Sequence, residues 1–351
     1  MAKAEDDLTN LRIGTLLQNR DGSRGFVVPN TADAPPHWAS VMHLGEDDGP
    51  GSVLSSHRGR MASEWIPVEP PGKVGRVVIM ADMEGITGVP NNDVAVTPAE
   101  ETGGVRTPEY AGACRAMTLD VQWAIAGARA AGAQEIIVAD SHWYDTNLLD
   151  EDFDVPVVRG SQAALRVMEG ADAAMLIGWH AKAGTPRACL PHTYTDRIKR
   201  LMIDGREVGE IGMLTRLISS YGVPVVLVTG DLAAHEEVQS DEPGVKSAVT
   251  VVTKRVNEQG VAEFWYRRNE IAGYAYQAIR ALVGDVVLAC HQPGQFEVDV
   301  FPEFRVASDE EAELVDTGMY RITATGIRES YAAFQRLVER MPAAGIQPLA
   351  R

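Results

Sequence analysis

Two acids stand two residues apart in RVVIMADMEGITGVPN (Arg76 to Asn91): Asp82 and Glu84 follow a run of apolar residues and precede glycines that end regular structure. Residues i and i+2 of an extended chain point to the same side, so this spacing can aim two carboxylates at one point. Imidazoles recur in the same setting. Asp140, Ser141 and His142 follow the apolar run EIIVA, and His180 follows AAMLIGW. Two carboxylates and two imidazoles, with no thiolate, form a donor set that suits zinc or a similar divalent ion. Taken singly, DxE reads as a solvated turn and a strand-end histidine as a structural hydrogen-bond donor. Their joint arrival after apolar strands, in a chain with only 8 histidines, favours a shared cation. The pattern leaves the number of ions open. Glu210, in DGREVGEIGM, stands at the expected start of a helix, where by itself it reads as an acid complementing the helix dipole.

The elements around these residues explain how they meet. From Val74 onward, strand and helix patterns alternate: RVVIMA, a helix through TPEYAGACRAMTLDVQWAIAGARAAG, EIIVAD, a helix near SQAALRVMEG, AAMLIGWH, a helix from about Val208 to Tyr221, and PVVLVTGD. Apolar strands alternating with helices imply an α/β fold with a mostly parallel sheet flanked by helices. The C-terminal strand ends of such a sheet share one edge, where ligands bind, and all four strand-end ligand candidates fall there. We expect residues 75–235 to form this metal-binding domain. Residues 236–351, which end in a strand and helix at ITATGIRESYAAFQRLVER, read as an α+β C-terminal portion that completes it. Residues 1–74 read as a small β-rich N-terminal extension: short β-like runs at Leu11 to Leu17 and Gly25 to Val28 flank an Asp21-Gly22 turn. A loop rich in Gly, Pro, Ser and His follows, up to the Glu69 to Lys73 linker.

Composition narrows the function classes. The chain has 351 residues, 45% of them hydrophobic, enough for one large domain or two ordinary ones. Its net charge of −17, from 32 basic and 49 acidic residues, repels nucleic acid and anionic lipid alike. No run of about 18 apolar residues occurs, and MAKAEDDLTN lacks the basic and then apolar start of a signal peptide. A soluble cytoplasmic protein, with no nucleic-acid or membrane partner, is the expectation. Cys114, Cys189 and Cys290 are scattered singly, which predicts buried free thiols rather than disulfides or a thiolate zinc site.

Five motifs extend the reading. ADMEGITGV, VADSHWYDTNL, MEGADAAMLIGWHAKAGTP followed by HTYT, IDGREVGEIGM and YGVPVVLVTGD occur in order along residues 74 to 340. In order and separation they resemble the zinc-dependent D-aminopeptidase family. The resemblance implies that Asp82, Glu84, His142, His180 and Glu210 ligate zinc, two ions per chain, with Asp82 as the bridge. It also implies that His192, in LPHTYT, is the catalytic histidine; without it, His192 reads as a loop histidine capping a backbone carbonyl. A ring-like homo-oligomer, such as a decamer, with sites facing an inner chamber is implied as well. The implied reaction is amide hydrolysis by metal-activated water, removing an N-terminal residue, of the D hand in the family, from a short peptide. Asp140 and Ser141 beside His142, and Asp231 and His235 past the last strand, stand where they could orient ligands, although Asp231 reads equally well as a helix cap.

Three departures bear on substrate. Leu232 stands where a second acid after Gly-Asp is expected, Trp143 where a small residue commonly follows DSH, and residues before Val74 have no counterpart. These suit a narrower pocket, for one small amide rather than assorted D-peptides. Two other readings stay open: a metal-dependent hydrolase of a phosphoester, for which Lys182 and Arg187 are the only basic residues beside the motifs, and a non-catalytic metal-binding scaffold.

Overall fold

A computed structural model describes residues 11–30, 38–45, 50–57, 64–70, 72–90, 106–241, 249–264, 268–282, 295–324 and 326–342. Five strands come first: β1 (Leu16–Asn19), β2 (Arg24–Val28), β3 (Trp38–Leu44), β4 (Pro50–His57) and β5 (Trp65–Pro67). They form an antiparallel sheet in the order β4-β3-β2-β1-β5. The Asp21-Gly22 turn joins β1 to β2, with Gly22 at a φ of 89°, a left-handed conformation that favours glycine. Strands β3 and β4 replace the loop expected between Val28 and the linker. Their support is mutual, through pairing such as Val41 with Leu54, so local composition rich in Ser, His and Gly does not reveal it.

The central sheet follows. Its elements are β6 (Val74–Ala81), helix α1 (Pro108–Ala130), β7 (Ala133–Asp140), β8 (Val157–Arg159), α2 (Ser161–Met168) and β9 (Ala173–Trp179). The hairpin β10 (Ile198–Ile203) and β11 (Arg206–Val208) intervenes before α3 (Glu210–Ser219), β12 (Val225–Asp231), α4 (Leu232–Asp241), β13 (Val249–Val256) and β14 (Ala262–Phe264). Seven strands run in the order β14-β13-β12-β9-β6-β7-β8, every pair parallel except β13 with β14. This is the mixed α/β fold with a mostly parallel sheet that the alternating pattern implies. The chain ends with α5 (Arg268–Ala281), β15 (Phe296–Val300), β16 (Ala312–Asp316), β17 (Met319–Ile322) and α6 (Ile327–Arg340).

Strand β13 lies beyond residue 235 yet joins the central sheet, while β10, before that boundary, pairs with β15 in a third sheet ordered β11-β10-β15-β17-β16. The sheets therefore interleave the two segments that the sequence separates at residue 235. Side-chain alternation divides the core. Val77 and Ile79 of β6 join the apolar cluster that contains α1 and α5, whereas Val78 and Met80 join the cluster that contains α2, α3 and α6. Thr107 caps α1, accepting from the Tyr110 N–H at 3.1 Å, and Pro108 occupies its first turn. Cys114 and Cys189 are buried free thiols; Cys290 lies outside the described residues. Among the described residues no helix is long and apolar enough to cross a membrane.

Candidate metal centre

Each expected ligand sits where a strand or helix of the central layer ends. Asp82 and Glu84 follow β6, and the turn that carries them is locked to β9: the Asp82 N–H donates to Ile177 O at 2.8 Å and the Gly85 N–H to Gly178 O at 2.7 Å. The two turns pack so closely that a Cβ on Gly85 would lie 2.0 Å from Trp179 O. His142 follows β7, whose neighbouring Ser141 N–H donates to Ala81 O at 2.9 Å, and His180 follows β9. Glu210 opens α3, and His192 lies in the loop between β9 and β10.

The structure brings all six together. His142 Nδ1 lies 3.2 Å from Asp82 Oδ1 and 3.2 Å from Glu84 Oε2. His180 Nε2 lies 3.5 Å from Asp82 Oδ2 and 3.2 Å from Glu210 Oε1. The His192 ring stacks on His180 with centroids 3.9 Å apart, and its Nε2 is 3.9 Å from Glu84 Oε1 and 3.8 Å from Glu210 Oε1. Two clusters result, Asp82 with Glu84 and His142, and His180 with His192 and Glu210, each compact enough for its donor atoms to share an ion. Asp82 spans them, one oxygen toward each.

Electrostatics set the chemistry of this group. Asp82, Glu84, His142 and His180 are buried, while the His192 side chain keeps 28% exposure. Burial, and then the adjacent Glu84 carboxylate, push Asp82 up to about 7. Burial would raise Glu84 too, but His142 outweighs it and holds Glu84 well below the usual carboxylate range. For His142 and His180, burial opposes the charge, yet Glu84 and Glu210 respectively hold both imidazoles well above their ordinary value. His192 behaves oppositely: burial, then its neighbour His180, lower it. Its Nδ1 is 3.0 Å from Leu190 O, and a carbonyl only accepts, so the proton sits on Nδ1 and the Nε2 lone pair faces the carboxylates. The capping contact read from sequence is thus present and orients the ring.

The donor set fits a divalent ion. Asp82 Oδ2 and Glu84 Oε2 are buried and accept no hydrogen bond from the described residues; imidazoles stand beside them at 3.5 and 3.2 Å without hydrogen-bond geometry, an arrangement that coordination to a divalent ion would satisfy. Six N/O donors without sulfur match the zinc-like class.

Surrounding residues also hold the loops that carry these side chains. Buried Asp140 accepts from the N–H groups of Asn147 at 2.7 Å and Leu148 at 2.8 Å, and the Asn147 amide donates to His142 O at 2.8 Å. Asp231 is the helix cap its position suggested, accepting from the Ala234 N–H at 2.8 Å at the start of α4, and it also accepts from the Cys189 N–H in the loop leading to His192. His235 is half-buried on α4. That loop also holds Leu190 at a φ of 60° and Tyr194 at 64°, left-handed conformations that cost about 1–3 kcal/mol each. The Tyr194 N–H donates to Glu210 Oε1 at 2.6 Å. Neither Tyr194 nor buried Lys254, which donates to Glu84 O and Val89 O, stands out in the sequence. The one trace of Lys254 is a cation inside the β-like run VTVVTKRV.

A peptidase family model described as D-aminopeptidase matches residues 76–341. The D-aminopeptidase of Bacillus subtilis (strain 168) is 30% identical over 184 residues, 51% of this chain and 64% of that relative, so the match spans less than two thirds of its length. A solved structure described as the Zn-dependent D-aminopeptidase DppA from Bacillus subtilis, a self-compartmentalizing protease, superposes with a TM-score of 0.63 at 22% identity. It covers 75% of this chain and 97% of the other, a likeness of fold.

Proposed function

Because this chain belongs to the D-aminopeptidase family, we propose that it hydrolyses an amide at the six-residue centre, releasing an N-terminal residue from a short peptide or cleaving a small-molecule amide. The observation that carries this reading is the division of Asp82 between two donor clusters, with two buried carboxylate oxygens left without a hydrogen bond. Asp82, Glu84 and His142 would hold one zinc, and Asp82, His180 and Glu210 a second. When bound, such ions polarise a scissile carbonyl and activate water at neutral pH. His192, kept neutral with its Nε2 lone pair toward the centre, takes a proton there and returns it to the leaving amine. Strain in its loop and the Leu190 carbonyl hold the ring in register for that transfer.

Substrate size and hand are a finer part of the proposal. Trp143, directly after His142, keeps 47% exposure, which supports a restricted pocket for a small amide. The description of the solved relative as self-compartmentalizing supports a ring-like homo-oligomer here; in this proposal the ring stands in the cytoplasm, with the β-rich N-terminal extension, residues 1–74, at its entrance. The metal-loaded protein should release p-nitroaniline from amino-acid p-nitroanilides of one hand and leave bis(p-nitrophenyl) phosphate intact. Phosphodiester cleavage at comparable rate would replace this reading with the phosphoesterase one, and inertness toward both would favour the scaffold.

A further inference from the structure

The turn that carries Asp82 and Glu84 does not stop at β9. It continues over the C-terminal ends of β9 and β12 to β13, where two consecutive side chains grip its backbone. Thr253 Oγ1 lies 2.7 Å from Gly85 O and 3.0 Å from Gly230 O, so its single proton ties the turn to the end of β12. Lys254 Nζ donates to Glu84 O and to Val89 O, at the two ends of the same turn. Burial lowers its pKa, and the neighbouring Cys189 and Asp231 side chains favour its charge. Lys254 is fully buried. Taking an ammonium out of water costs several kcal/mol, and an apolar side chain of similar length would fill the space without that cost. What the ammonium adds is directional: it holds the Glu84 carbonyl while Thr253 holds the Gly85 carbonyl of the next peptide unit, so β13 restrains the Glu84–Gly85 peptide on both sides. The orientation of that peptide fixes the Cα of Glu84, and with it where the carboxylate points.

We propose that Lys254 and Thr253 are positioning residues that aim the Glu84 carboxylate at its ion; the inference rests on the metal reading above. Residues that orient metal ligands from behind typically cost about 10- to 100-fold in metal affinity when removed. We expect that loss in Lys254→Met, which keeps the stem and removes the donors, and in Thr253→Val, which keeps the shape and removes the hydroxyl. The measurement is zinc affinity of the full-length protein by chelator competition. It is paired with the visible absorption of the cobalt-substituted form and with circular dichroism of the metal-free form to establish folding. A purely structural role would lower the melting temperature yet leave affinity and cobalt spectrum unchanged. Folded Thr253→Val with wild-type zinc affinity and spectrum overturns the inference, even where Lys254→Met fails to fold. A wild-type protein that takes up no zinc overturns the metal reading and this inference together, whereas a zinc-binding wild type with equally avid variants overturns this inference alone.

Discussion

The three histidines of the centre differ in what each can do. His142 and His180 are buried among carboxylates, whereas His192 keeps an exposed edge, a neutral ring and a lone pair directed inward. His142→Ala and His180→Ala should therefore lose zinc together with activity. His192→Ala should retain zinc and KM while kcat falls about 10²- to 10⁴-fold, the form expected when a proton-transfer contact of the transition state is removed. Elemental analysis alongside steady-state kinetics decides the matter: a variant with near-normal kcat, or one stripped of metal, returns His192 to a purely structural role. The same residues predict a pH dependence. His142 and His180 have raised values in the folded metal-free protein, so they contribute stability below the ordinary value of about 6.5 that is lost as pH rises through the raised ones. Asp82, pushed to about 7, loses stability over the same rise, from the ordinary carboxylate range upward. Metal-free protein should thus melt at lower temperature at pH 8 than at pH 6, and the gain on adding zinc should widen over that interval. A metal-free melting temperature that climbs from pH 6 to pH 8 contradicts this assignment of protons.

Elements place the residues through close backbone contact. The β6 and β9 ends interlock at Gly85, whose missing side chain lets the Trp179 carbonyl approach. Gly85→Ala forces that carbonyl away and should destabilise by about 1–3 kcal/mol. Because Glu84 is its neighbour, zinc affinity should fall as well. Urea unfolding and chelator competition test the two effects separately, and a Gly85→Ala protein of wild-type stability would falsify the interlock. Buried Asp120 and half-buried Arg268 support the same turn, Asp120 accepting from the Thr87 N–H at 2.8 Å and from Arg268 Nε at 2.7 Å. The turn is therefore held by α1, α5, β9 and β13 at once.

At the scale of the whole molecule, the N-terminal sheet is tied into the main core. Leu16, Phe26, Val28 and Met42 belong to the same apolar cluster as α1 and α5, Phe26 stacks on Tyr276 at 5.8 Å, and Arg129 Nη1 donates to Ile13 O at 2.6 Å. Phe26→Ala should cost about 3–5 kcal/mol in unfolding free energy measured with urea, even though it lies far from the candidate centre in sequence. A loss below about 1 kcal/mol would mean the sheet is only loosely attached. Assembly is tested by sedimentation of the full chain. The proposed compartment requires a ring-sized homo-oligomer, and a monomer at micromolar concentration ends that part of the proposal.

The sequence alone made the candidate centre legible because strand ends in a parallel sheet share one edge. Apolar runs ending in Asp82, His142 and His180 carry their geometry in their order, and Glu210 and His192 were recognised through a family resemblance. Helices α1, α3 and α6 were legible from their apolar periodicity for the same local reason. Tertiary structure decided everything that depends on which distant segment arrives alongside. Strands β3 and β4 owe their pairing to each other across a stretch whose polar composition conceals it, β10 pairs with the distant β15, and β13 joins the central sheet from beyond residue 235, past the point where the regular strand and helix pattern lapses. Lys254 and Thr253 act 170 and 168 residues away from the carbonyls they hold at Glu84 and Gly85. A side chain's hydrogen-bond partner is fixed by packing in three dimensions, and nothing in the residues flanking Lys254 distinguishes a buried ammonium from an exposed one.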